Sequence, residues 1–178
     1  MSLAPHPDQP FDLEDLLAAP EDGYRYEVLD GALVVNPAPA WRHQEIVVRL
    51  ARILGDAAPP GTKVLPSPVW RIGPGQVPEP DLAVVGTEAL GAIAIEGVPQ
   101  LVVEILSPSN RGSDLVRKRA LYAEAGCPNY WIVEPEGPTV TVLHLASSDS
   151  YVEARRCSAV QRLIIDQPFP MEFAPADL

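Results

Sequence analysis

The chain has 178 residues, of which 47% are apolar and 21% charged, a globular composition of single-domain size rather than a disordered one. Its 21 prolines, against an average usage of about 5%, exclude a helix bundle, because proline breaks helix interiors and central strands. The net charge of −11 argues against non-specific coating of nucleic acid, which needs a basic surface.

The N-terminal residues, 1–10, read as a loose tail ahead of a single domain spanning 1–178. The acidic start MSLAPHPDQPFDLEDLL lacks the basic-then-apolar pattern of a signal peptide. No apolar run approaches the roughly 20 residues that span a bilayer. Two cysteines, Cys127 and Cys157, make no disulfide scaffold and have no zinc-site spacing. The expectation is a cytoplasmic protein with no membrane contact.

Phe11 to Ala19 predicts a short helix, capped by Asp12 and stopped by Pro20. Tyr24 to Leu29 alternates polar and apolar residues, and Asp30-Gly31 leads into Ala32 to Val35. A DG pair between two such runs is a strong hairpin signal. Trp41 to about Asp56 predicts a helix with an apolar stripe of Ile46, Val47, Leu50, Ile53 and Leu54. Arg42, Glu45, Arg49 and Arg52 take its other face. Pro59-Pro60-Gly61 ends it. Short strands are expected at Lys63 to Leu65, Val69 to Ile72 and Asp81 to Val85.

Leu101 to Leu106 is apolar except for Glu104, the pattern of a central strand buried on both faces. Ser113 opens a helix that runs to about Ala125 and stops at Gly126. Tyr130 to Val133, a PEGP turn and Thr139 to Leu145 form a second hairpin. Weaker strand signals lie near Tyr151 and Leu163. The expected fold is α/β (α+β): a mixed central sheet flanked by helices, with hairpins at both ends.

Charge is unevenly spread. Residues 1–30 carry eight acids and one arginine, whereas 31–72 carry five bases and two acids. Residues 73–104 carry five acids and no base, and 105–119 carry four bases and one acid. Two basic stretches thus flank an acidic one. That suits a metal site facing a phosphate backbone, and ordinary surface variation also produces it.

Glu104 stands out within this pattern. A lone carboxylate in an apolar strand is costly to bury charged, so it takes either a cationic partner or a metal. Asp81 directly follows Pro80 in the segment without bases. Two carboxylates on adjacent strands hold hard cations such as Mg²⁺, which favours oxygen ligands. Lys118 falls within the Leu115, Tyr122 and Ala125 side of its helix, where a basic residue is unusual. It is one of only two lysines beside 11 arginines. Glu27 lies in the first hairpin. His43 faces the same way as the stripe of the first long helix, as a core histidine or a site residue.

PEPDLAVV followed by LVVEILSPS resembles the PD-(D/E)XK signature of restriction-endonuclease-like nucleases. With YEVLDGALVVNPAPAWRHQ, LVVEILSPSNRGSDLVRKRALYAEAGCPNYWIVEP and TVTVLHL, the chain resembles the Uma-type family of "putative restriction endonucleases". These pieces cover most of residues 24–145. The resemblance implies a restriction-endonuclease-like fold, with Asp81 and Glu104 as the paired acids and Glu27 as an additional one. Leu106 stands where the common pattern has its lysine, and Lys118 fits a variant that carries it on the next helix. His43 matches the histidine of the first long helix.

The function implied is a Mg²⁺-dependent endonuclease acting on DNA, with Mn²⁺ able to substitute, working as a homodimer. Asp81, Glu104 and the Ile105 carbonyl would hold metal, and Lys118, Glu27 and His43 would complete the catalytic group. Arg111 and Arg117 are candidates for phosphate contact, chosen on charge alone. Two other readings stay open. One is an inactive nuclease-fold binding module, favoured by the acidic charge and by Leu106. The other is a two-carboxylate hydrolase of the glycosidase type, which an inward Lys118 disfavours.

Overall fold

The computed structural model describes residues 2–3, 10–107, 113–147 and 149–178. Its centre is a six-stranded mixed sheet. In chain order its strands are β4 (Thr62–Pro66), β5 (Leu82–Gly86), β6 (Leu101–Ile105), β7 (Asn129–Glu134), β8 (Thr139–Ser147) and β9 (Ser150–Ser158). They lie in that spatial order, and only the β6–β7 pair is parallel. That pair is bridged by helix α3 (Ser113–Glu124), because parallel neighbours need a long crossover.

Strand alternation sorts the two faces. Leu82 and Val84 of β5, with Leu101, Val103 and Ile105 of β6, pack on one side. Against them lies helix α2 (Trp41–Ala57), through Ile46, Leu50 and Leu54. A small hairpin of β10 (Leu163–Ile165) and β11 (Met171–Phe173) adds Leu163, Ile165 and Phe173 to the same core. Ala83, Val85 and Val102 point the other way, to Tyr122 and Leu121 of α3 and to Trp70. By period two, Glu104 shares the Val102 side and faces α3.

The N-terminal hairpin forms as its sequence predicts. Strands β2 (Arg25–Leu29) and β3 (Ala32–Asn36) pair with Leu29 opposite Ala32. Asp30 and Gly31 sit at φ 51° and 73°, the left-handed pair of a two-residue turn. At Gly31 a Cβ would also lie 2.7 Å from the Pro10 Cβ. This hairpin is tied to the segment before β5. Val28 and Val77 exchange N–H···O bonds of 3.0 and 2.8 Å, and Gly31 N–H donates to Gly75 O at 2.8 Å. Helix α1 (Leu13–Leu17) covers it, with Asp12 and Asp15 forming a capping box. It is shorter than the Phe11 to Ala19 expected.

Two expectations need correction. Val69 to Ile72 is not a regular strand. Trp70 N–H reaches Pro78 O, Arg71 N–H reaches Ile95 O, and Ile72 N–H reaches Gln76 O. Acceptors on two segments, one holding Gln76 and Pro78 and the other Ile95, replace a ladder, since prolines at 68, 74, 78 and 80 leave no continuous partner. The tail at 1–10 is not loose throughout: Ser2–Leu3 pairs with Leu33 and Val34 as strand β1, because β3 offers an open edge. No helix among the described residues is long and apolar enough to cross a membrane.

Leu50 is fully buried between α2 and the sheet, whereas Val48 on the same helix is 68% exposed. Leu50→Ala is expected to cost about 2–5 kcal/mol by lost transfer energy and cavity formation. Val48→Ala should stay within about 0.5 kcal/mol. Urea denaturation of both variants checks this, and equal losses would contradict the packing.

Candidate functional site

The site begins at the open ends of β5 and β6. Leu82 pairs with Val103 in an antiparallel register. One residue further out, Asp81 and Glu104 come opposite each other. Asp81 Oδ2 accepts the backbone N–H of Ile105 at 2.7 Å, so the first carboxylate is fixed on the neighbouring strand. Asp81 is 3% exposed and Glu104 4%. Charged groups this buried need partners.

Asp81 takes its partners from β2 and α2. Arg25 Nη1 donates to Oδ1 at 2.8 Å, and His43 Nε2 lies 3.0 Å from Oδ2. Burial pushes the Asp81 carboxyl up, but His43 and Arg25 outweigh it and hold it down at about 2. His43 Nδ1 is buried with no hydrogen-bond partner among the described residues. Arg25 Nη2 also donates to Glu79 O at 3.0 Å, and its Nε lies 3.4 Å from Glu79 Oε1. Burial lifts the Glu79 carboxyl against the pull of Arg25.

Glu104 takes its partners from α3. Lys118 Nζ lies 3.2 Å from Glu104 Oε1 and 2.7 Å from Glu27 Oε1. Tyr122 Oη donates to Glu104 Oε1 at 2.7 Å. Lys118 and Tyr122 are one turn apart, so one helix face supplies both. Tyr122 is fixed by the ring of Trp70, stacked at 5.5 Å. Burial drives the Glu104 carboxyl up to about 8, although Lys118 pulls the other way. Glu27 is held by Asn36 Nδ2 and by the Glu79 backbone N–H, each at 2.8 Å.

Glu27, His43, Asp81, Glu104 and Lys118 therefore line one cavity of about 630 Å³. Its rim includes residues 37–40, Arg42, Pro135 and Glu136. Two carboxylates with opposite pKa shifts face a common space, the pattern by which acid and base roles are separated. The Glu104–Lys118 ion pair, one of the alternatives open from sequence, is present, and it lies inside this cavity. Leu106 lines the cavity as well.

Arg117 lies apart from this group. Its Nη2 reaches Leu29 O and Asp30 Oδ2, both at 2.6 Å, pinning the first hairpin turn. Arg111 lies outside the described residues. Arg25, Asn36, Glu79 and the hydroxyl of Tyr122 were not singled out from sequence. Arg25 had a signal, since in an alternating strand it shares a face with Glu27 two residues on.

Among the described residues, no three His, Cys, Asp or Glu side chains converge as a closed cation cage. Mg²⁺ does not require one, because it is commonly held by one or two carboxylates, keeping several waters and substrate phosphate oxygens. The Asp81 and Glu104 pair, both hard oxygen donors at one cavity wall, fits that demand.

Comparisons with known proteins bear on the family and the fold. The Uma2 family model, described as "Putative restriction endonuclease", matches residues 13–177. A crystal structure of a "putative nuclease belonging to DUF820" from Anabaena variabilis shares the fold at a TM-score of 0.76 and 19% identity. The match covers 94% of this chain and 97% of that one. No curated protein matches.

The pKa shifts make stability depend on pH in a defined direction. Between the ordinary 4.5 and about 8, the folded state keeps the Glu104 proton that the unfolded chain releases. Stability should thus fall as pH rises through that window, by at most about 1.4 kcal/mol per pH unit. Glu104→Gln should flatten this decline in urea denaturation at pH 5 to 8; an unchanged slope would contradict it. Asp81 acts oppositely, its contribution being lost as pH falls from 3.8 towards 2.

Proposed function

This chain belongs to the Uma2 family, and from that premise we propose that it is a metal-dependent endonuclease hydrolysing DNA phosphodiester bonds. The observation that carries the reading is the convergence of Asp81, Glu104, Glu27 and Lys118 on one cavity. Asp81 and Glu104, with the Ile105 carbonyl, would hold Mg²⁺, and Mn²⁺ could replace it. When bound, such an ion polarises a phosphate oxygen and makes a bound water more acidic.

The chain's own residues supply the rest. Ile105 N–H and His43 orient Asp81, leaving its carboxylate ionised over the working pH range. Glu27 fixes the Lys118 ammonium beside Glu104. There Lys118 orients the attacking water or offsets charge that develops on the phosphate. Tyr122 holds the Glu104 oxygen that Lys118 also contacts. His43 acts through Asp81, as a positioning residue. A homodimer, with each subunit cutting one strand, is part of this proposal.

A second reading is a nuclease-fold binding module without catalysis. Two observations favour it. Leu106 occupies the usual lysine position, and Arg25 already neutralises Asp81 Oδ1. In that case Lys118 and Arg25 are structural counter-ions rather than parts of a reacting centre.

Calorimetric titration of Mg²⁺ and Mn²⁺ into the wild type and Asp81→Asn separates the two, followed by supercoiled plasmid. The nuclease reading expects metal binding and nicking in the wild type, with nicking reduced at least about 100-fold in the variant, since even outer-shell changes cost 10–100-fold. A wild type that binds no metal at millimolar concentration, with or without DNA, would sink it.

A further inference from the structure

Three charged groups at the centre of the site are recessed, at 3%, 4% and 4% exposure for Asp81, Glu104 and Lys118. A DNA duplex exposes its phosphates on a broad convex surface, whereas this cavity is of small-molecule size. An unpaired strand enters a cavity of that size more readily than an intact duplex does. Arg42 stiffens the mouth by donating from Nη2 to Pro135 O at 3.1 Å. Residues 37–40 on the same rim are Pro-Ala-Pro-Ala, a stretch with restricted backbone freedom.

Beside that mouth stands Trp41, the first residue of α2, between the rim residues Ala40 and Arg42. It is 72% exposed, while Trp70 and Trp131 are 1% and 0% exposed. An indole this exposed offers an open ring face on which a base can stack. The outward side of α2 continues from it with Val48 and Arg52, and with Arg49, which is paired to Glu45 at 2.7 Å. It belongs to 31–72, one of the two basic stretches of a chain whose net charge is −11. Aromatic surface interleaved with arginines is the composition that grips unpaired strands, through base stacking and phosphate contact.

We propose that the outward face at the start of α2 is the docking surface for an unpaired DNA strand, with a base stacked on Trp41 and a backbone phosphate against Arg42. The strand then leads into the cavity. This rests on the nuclease reading and narrows its substrate to single-stranded or locally unpaired DNA.

The test uses the full chain in EDTA, so that binding is read apart from cleavage. The probes are a fluorescein-labelled dT15 strand and a 15-base-pair duplex. A change in tryptophan emission on adding the strand reports Trp41, because the other two indoles are buried out of reach of a bound base. The single strand should quench that emission and bind at least about 10-fold more tightly than the duplex. Trp41→Ala should weaken single-strand binding by about 10-fold or more, within the range for one stacked base. Trp41→Phe should retain most of it. Arg42→Ala should lower the salt dependence by about 0.7 in slope.

Duplex binding that equals single-strand binding, with no tryptophan response, would overturn the proposal. So would a Trp41→Ala chain that binds DNA normally but changes its sedimentation, which assigns the indole to a second copy of the protein. Plasmid nicking in Mg²⁺ is scored separately. Single-strand binding without any nicking removes the nuclease reading and leaves this surface standing; nicking without the tryptophan response does the reverse.

Discussion

Three carboxylates brought to the buried end of a sheet must be neutralised, and the site's architecture follows from that requirement. Asp81, Glu104 and Glu27 are each nearly inaccessible. Left unpaired, each would cost several kcal/mol or stay protonated. Lys118 serves two of them and Arg25 serves the third. Every element that carries one of these groups is thereby fixed relative to the others. The hairpin supplies Arg25 and Glu27, the sheet supplies Asp81 and Glu104, and α3 supplies Lys118.

The two cations are not equivalent. Lys118 is a point charge shared between two acids, with Tyr122 completing the hydrogen bonds of one of them. Arg25 uses its planar fork to span a carboxylate and a backbone carbonyl. That geometry suits a rigid clamp, whereas the lysine can yield or move a proton. The opposite shifts of Asp81 and Glu104 follow from this division. One carboxyl has an arginine, a histidine and a backbone N–H; the other, equally buried, has only a shared ammonium and a phenol among the described residues.

The proline-rich stretch from 67 to 80 supports the same centre. It forms no regular strand, yet its backbone docks onto the first hairpin through Val28, Val77, Gly31 and Gly75. Glu79 N–H then reaches Glu27. An irregular segment thus sets the distance between the hairpin and β5. Proline rigidity substitutes for a ladder there, and backbone donors find acceptors scattered over Gln76, Pro78 and Ile95.

Local pattern by itself determined much of the protein. Short apolar runs marked β5, β6 and β7, the Asp30-Gly31 pair between its two runs marked the first hairpin, and the stripe from Ile46 to Leu54 marked α2. These signals are local because side-chain direction repeats with the backbone. Glu104 and Lys118 were also visible, as charges in positions that bury apolar residues. Tertiary structure alone decided what they meet. Arg25 reaches Asp81 across 56 positions of sequence, Tyr122 turns a core position into a hydrogen-bond donor, and Arg117 is drawn to a turn instead of the cavity. Such pairings depend on register and crossover between distant segments, which a one-dimensional pattern does not encode.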